Sequence, residues 1–121
     1  MPPRPPAVEL AAAILLVTGI IGVISNLGAG LGGTADPFLW LGVLLNATSA
    51  LLGLAARYGR LWVVTLNYAA VLGFLDLLGS GTNAQALMIG LAEVLVVVML
   101  ILNKPWFDAI REWRRAVAPT P

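Results

Sequence analysis

Residues 84–102 read AQALMIGLAEVLVVVMLIL, nineteen residues that contain a single ionisable group, Glu93. A run of this length and character can cross the hydrocarbon core of a bilayer as an α-helix, which takes about 20 apolar residues. Three further runs of the same kind precede it, at Val8–Leu27, Phe38–Ala56 and Leu61–Leu78. Because backbone groups in lipid must be hydrogen-bonded internally, each run is predicted to be a helix. The sequence therefore predicts an all-α membrane protein with a four-transmembrane-helix up-and-down bundle.

The composition of the chain agrees with a membrane protein and excludes several other classes. Apolar residues make up 60% of the 121 residues and charged residues 11%, whereas soluble domains average about 25% charged residues. The net charge of +1 lacks the basic excess of a nucleic-acid-binding protein, so no nucleic-acid partner is expected. The chain has no Cys and no His, which removes thiolate and imidazole ligands and the usual general base. We therefore expect no cofactor, no metal site and no catalytic activity.

The remaining segments flank the predicted bundle. In the last connection, Thr82 and Gln85 have the spacing of a helix capping box. After the fourth run, apolar residues recur at helical spacing between charged ones, which predicts a short amphipathic helix lying in the membrane interface. That helix is either an anchor or a docking surface for a partner. The predicted segments are a disordered N-terminal tail at 1–7, the transmembrane domain at 8–104, the amphipathic helix at 105–117 and a tail at 118–121.

All the basic residues fall at one end of the predicted bundle. The predicted outer connections contain no Lys or Arg, so the positive-inside rule places both termini in the cytoplasm. The expected location is the plasma (inner) membrane. The seven basic residues are Arg4, Arg57, Arg60, Lys104, Arg111, Arg114 and Arg115.

Two stretches of the chain resemble each other. Ile20–Gly30, IIGVISNLGAG, aligns with Val71–Gly81, VLGFLDLLGSG, and Leu39–Leu44, LWLGVL, then aligns with Leu87–Ala92, LMIGLA. The alignment predicts two copies of one helical hairpin, related by a pseudo-twofold axis along the membrane normal. The alternative is that the abundance of glycine and leucine alone produces the match.

Polar side chains recur near the middle of the predicted spans. Thr18, Asn46, Asn67 and Glu93 each fall near the centre of a different span, and together they form a candidate midplane polar site. No basic residue lies at the depth of Glu93, so its neutral, hydrogen-bonded form is favoured unless a cation or water reaches it. Glu93 is then either a structural residue that hydrogen-bonds a neighbouring helix or a group that binds a proton or a cation.

Small residues predict which helix faces point inward, because they let helices approach closely in lipid. The predicted inner faces are Thr18, Gly22, Ser25 and Ala29 on the first helix, Gly42, Asn46, Ser49 and Gly53 on the second, and Ala86, Gly90 and Glu93 on the fourth.

Two further carboxylates lie near the predicted outer surface. Asp76, near the outer end of the third helix, and Asp36, before the second, form a candidate outer acidic site that could attract cations. The alternative for Asp76 is a solvated carboxylate at a helix end.

Two functions are consistent with these features. The first is a structural, accessory or assembly subunit without catalytic activity, which agrees with the small size and the small-residue faces. The second is a minimal proton- or cation-linked transporter or channel with its site around Glu93. The expected partners are the lipid bilayer and either further copies of the chain or the subunits of a larger membrane complex.

Overall fold

The computed structural model describes residues 1–31, 37–79, 81 and 83–119 of the chain. Within these residues the protein is helical throughout and contains no strand. Three helices, at Pro6–Gly28, Pro37–Arg57 and Ala84–Leu102, are long and apolar enough to cross a membrane, while a fourth, Trp62–Leu78, is apolar but shorter at 17 residues. These helices suit an integral membrane protein. The bounds are α1 Pro6–Leu31, α2 Pro37–Arg57, α3 Trp62–Leu78, α4 Ala84–Leu102 and α5 Lys104–Val117.

The ends of α1 and α4 differ in detail from the sequence pattern. α1 includes residues 6 and 7 of the predicted tail, because the Pro5 carbonyl accepts hydrogen bonds from the backbone N–H groups of Val8 and Glu9. At the start of α4 the N-cap is Asn83, whose side chain accepts from the N–H groups of Gln85 and Ala86. Thr82, the cap expected from the sequence, lies outside the described residues.

Close backbone contacts hold the helices together in two hairpins. α1 packs most extensively against α2 and α3 against α4, and the hairpins meet mainly through α1 and α4. A Cβ added at Gly19 of α1 would lie 2.6 Å from the backbone oxygen of Asn46. A Cβ at Gly53 of α2 would lie 2.9 Å from the backbone oxygen of Ala12. The glycines therefore allow the two backbones to touch, as expected for helices that associate in lipid.

The two hairpins use equivalent glycine contacts. In the first, a Cβ at Gly42 would lie 2.7 Å from the Asn26 side chain, and in the second, a Cβ at Gly90 would lie 2.9 Å from the Leu77 side chain. The sequence alignment pairs Gly42 with Gly90 and Asn26 with Leu77. Both contacts therefore fall at positions that the predicted repeat pairs.

The apolar core lies at the end of the molecule where α1 begins. It is formed by α1, α2, α3 and α4 together with three side chains of α5, Trp106, Phe107 and Ile110, which are 8%, 4% and 1% exposed. The apolar face of α5 is therefore covered by protein, whereas the sequence alone suggested contact with the membrane interface. The other core residues are Val8, Ala11, Leu15, Ala56, Ala69, Val96, Met99 and Leu100.

The turn between α2 and α3 explains why α5 docks there. Gly59 has a left-handed backbone (φ 69°), and a Cβ at this position would lie only 2.8 Å from Cγ2 of Ile110. Glycine is thus required both by the turn and by the approach of α5. The Arg114 guanidinium of α5 donates to the backbone carbonyls of Tyr58 and Gly59 and so fixes the contact.

Candidate functional site

A cavity of about 600 Å³ lies between α1, α2, α3 and α4. It occupies the half of the molecule where α1 and α3 end and α2 and α4 begin, opposite the apolar core. Two carboxyl groups lie in its wall, and no Lys or Arg of the described chain does. The polar lining consists of the hydroxyls of Thr18, Ser25 and Ser49, the amides of Asn26, Asn46 and Gln85, and the carboxyls of Asp76 and Glu93.

Glu93 is the more enclosed of the two carboxyl groups. Its side chain is on α4 and the residue is only 5% exposed. Gly73 of α3 makes room for it, because a Cβ there would lie 3.2 Å from the Glu93 Cβ and 3.6 Å from Oε2. Within the described chain, Oε2 has no hydrogen-bond partner. A carboxyl oxygen that is buried without a partner carries a free-energy cost, which a proton shared with a neighbour or a bound cation removes.

Asp76 supplies that neighbour. It lies one helical turn beyond Gly73 on α3, and its carboxyl is within hydrogen-bonding reach of the Glu93 carboxyl. Asp76 is half-buried in the wall of the cavity. Two carboxylates side by side repel each other, and a proton or a cation between them would remove that repulsion.

Three hydroxyl and amide donors of the cavity lining are hydrogen-bonded within their own helices. The Thr18 hydroxyl donates to the Ile14 carbonyl at 2.6 Å, and Nδ2 of Asn46 donates to the Gly42 carbonyl at 2.8 Å. Nδ2 of Asn26 likewise donates to its own helix, at 2.7 Å. The amide oxygens of Asn46 and Asn26 lie against Gly22 and Gly42, where an added Cβ would lie within 2.7 Å of them. Oxygen acceptors of this kind are ligands for hard cations.

The structure brings together three of the four residues predicted for the midplane site. Thr18, Asn46 and Glu93 line the cavity, whereas Asn67 points out of the bundle and donates to the Val63 carbonyl at 2.8 Å. Of the candidate outer acidic pair, Asp76 lies beside Glu93, and Asp36 lies outside the described residues.

Sequence reasoning did not identify Tyr68 of α3. Tyr68 is half-buried, and its hydroxyl donates to the backbone carbonyl of Leu45 on α2, so it bridges the two hairpins. Helical spacing could have indicated that Tyr68 faces inward, because it lies one turn from Thr65. Thr65 is fully buried, and Asn67 lies on the opposite side of the helix.

Comparisons with protein-family models, with curated proteins and with solved structures find no match for this chain.

Proposed function

We propose that the protein is a four-span transporter of the plasma membrane that binds a small cation in exchange for protons at the Asp76–Glu93 carboxyl pair. The observation that carries the proposal is the contact between these two carboxyl groups in a cavity that contains no basic side chain in the described chain. A pair of this kind has two favourable states, one with a shared proton and one with a bound cation. Occupancy by one then excludes the other, which is the coupling that an exchanger needs.

The four-span arrangement is supported by the way α3 follows α4. Near one end of α3, Nε1 of Trp62 donates to the backbone carbonyl of Leu100 at 2.7 Å. Farther along, Gly73 lies against Gly90 and Glu93. A helix that runs antiparallel beside a span from Leu100 to Gly90 crosses the same part of the membrane. Its 17 residues cover about 26 Å at 1.5 Å per residue, close to a hydrocarbon core of about 30 Å.

The test of the exchange is proton release from the purified protein when a cation is added. The probes are sodium, potassium and tetramethylammonium, and we expect at least one of them to release protons from the wild type. Glu93→Gln and Asp76→Asn should each abolish this release. The matched control is Glu112→Gln, which changes an exposed carboxyl on α5 and should leave the release unchanged. Reconstituted in liposomes, the wild type should exchange the same cation for protons and the two cavity variants should not.

A second candidate, an accessory subunit or a homo-oligomer without transport activity, is favoured by Asn67. Its amide is exposed on α3 among apolar side chains such as Val63, Val64 and Val71, which are 60%, 52% and 58% exposed. An amide at this depth is costly against lipid and is satisfied by a neighbouring helix from another chain. If wild type, Glu93→Gln and Asp76→Asn all fail to release protons with every cation, the exchange is excluded and the accessory function becomes the better explanation.

A further inference from the structure

A second cavity, of about 740 Å³, lies at the opposite end of the molecule from the carboxyl pair. It is bounded by the turn between α2 and α3, the first residues of α3 and one side of α5. Four basic residues line it, Arg60, Lys104, Arg111 and Arg114, against one acidic residue, Asp108. Its wall therefore carries a formal excess of three positive charges.

The ion pairs around the cavity leave part of this charge uncompensated. Asp108 is shared by Lys104, at 2.8 Å, and Arg111, at 3.0 Å. Arg114 donates to backbone carbonyls of the α2–α3 turn. Burial, together with the nearby Arg60 guanidinium, lowers the pKa of Arg114 from its usual value. Arg60 itself is exposed and makes no ion pair within the described residues. Repulsion among these cations favours an anion in the cavity.

The apolar part of the wall indicates which kind of anion fits. Leu61, Val63 and Val64 line the same cavity and are 55%, 60% and 52% exposed. The Lys104 ammonium lies 5.6 Å from the centre of the Trp62 ring, so that a cation and an aromatic face stand side by side. Basic groups beside exposed apolar side chains of a membrane helix match a phosphate headgroup with its first acyl carbons. A free inorganic phosphate would leave the apolar side chains uncovered.

We propose that this cavity binds an anionic phospholipid, with the phosphate beside Arg60 and Arg111 and the acyl chain along Val63 and Val64. The charge complementarity is local to the cavity. Arg4 and Arg57, near the start of α1 and the end of α2, are instead paired with Glu9. The site is separate from the Asp76–Glu93 cavity and does not depend on the exchange proposed there.

The test is a measurement of lipid affinity on the full chain in mild detergent, by native mass spectrometry with phosphatidylglycerol and phosphatidylcholine as probes. We expect phosphatidylglycerol to bind more tightly than phosphatidylcholine. Arg60→Gln should weaken phosphatidylglycerol binding by about fivefold, as for the loss of one basic group near an anionic lipid. Arg60 is exposed and makes no ion pair among the described residues, so the variant should fold. Arg111→Gln should act in the same direction.

The matched control is Arg115→Gln, the same change on α5 at a position outside the cavity lining, and it should alter the affinity by less than about twofold. Equal loss in Arg60→Gln and Arg115→Gln would show a general effect of charge and overturn the site. Equal binding of the two lipids would overturn the headgroup assignment. Displacement of the lipid by millimolar inorganic phosphate would assign the cavity to a free anion instead.

Discussion

Asn46 and Glu93 each pack against a glycine of the preceding helix, although the alignment of the two hairpins offsets them by one residue. Asn46 packs against Gly22 of the preceding helix, where a Cβ would clash with the amide. Glu93 packs in the same way against Gly73, which the internal repeat pairs with Gly22. The Asn46 amide, which faces Gly22, is hydrogen-bonded within its own helix. The Glu93 carboxyl, which faces Gly73, instead has the Asp76 carboxyl as its neighbour.

The glycine contacts of α1 predict a sharp contrast between two identical substitutions. Gly19→Ala places a methyl group 2.6 Å from one backbone atom of α2 and 2.7 Å from another, so the helices must separate. We expect a loss of about 1–3 kcal/mol in unfolding free energy, as for other overpacked sites. Gly28→Ala has no atom within 4 Å and should be neutral or stabilising by up to about 1 kcal/mol, because alanine favours helix. Denaturant unfolding in detergent measures both.

If Gly19→Ala and Gly28→Ala change stability by the same amount, the close contact between α1 and α2 at Gly19 is wrong.

The positions of single polar residues could be predicted only in part. Depth along a run, which the sequence fixes, picked out Glu93, Asn46 and Thr18, and the structure places these three in the wall of one cavity. Depth alone misplaced Asn67, whose direction depends on the helical period. The contact between Asp76 and Glu93 depends on the register of α3 against α4. The apolar pattern of each helix, taken separately, does not specify that register.

Among the elements, α5 departs most from what its sequence suggests. Its charged and apolar residues alternate as in a helix that lies on a membrane surface. Its apolar face is nevertheless taken up by the protein, because Gly59 opens a gap beside the α2–α3 turn and Arg114 binds the carbonyls there. A pattern of amphipathic spacing cannot distinguish burial against lipid from burial against another helix.

Burial of α5 predicts unequal effects along its apolar face. Ile110 is 1% exposed, and Ile110→Ala should cost about 2–5 kcal/mol through lost contacts and a cavity. Val117 is 58% exposed at the end of the same helix, and Val117→Ala should change stability by less than about 0.5 kcal/mol. Thermal unfolding of the two variants in one detergent provides the comparison. Similar, small effects of both would place the apolar face of α5 in lipid.

The molecule as a whole is divided between an apolar end and a polar end. The core residues of all five helices close the end where α1 begins, and the carboxyl-lined cavity occupies the other half. In the proposed exchange, an ion would reach Asp76 and Glu93 from the end where α1 terminates and α4 begins. In that proposal, passage to the other side would require the core contacts of Trp106 and Ile110 to open.

Labelling of single introduced cysteines in intact cells tests which end of the molecule faces the cytoplasm. The chain has no native cysteine, so in each variant the introduced cysteine is the only residue of the chain that the thiol reagent can label. Gly81→Cys lies beside the cavity end, where an added Cβ meets no atom within 4 Å, and Arg115→Cys lies on the exposed face of α5. Because all basic residues lie toward the α5 end, we expect an impermeant maleimide to modify Gly81→Cys and to spare Arg115→Cys until the cells are permeabilised. The reverse pattern would turn the cavity toward the cytoplasm. Labelling of both before permeabilisation would mean that the two ends lie on the same side and that α4, which lies between the two positions, does not cross.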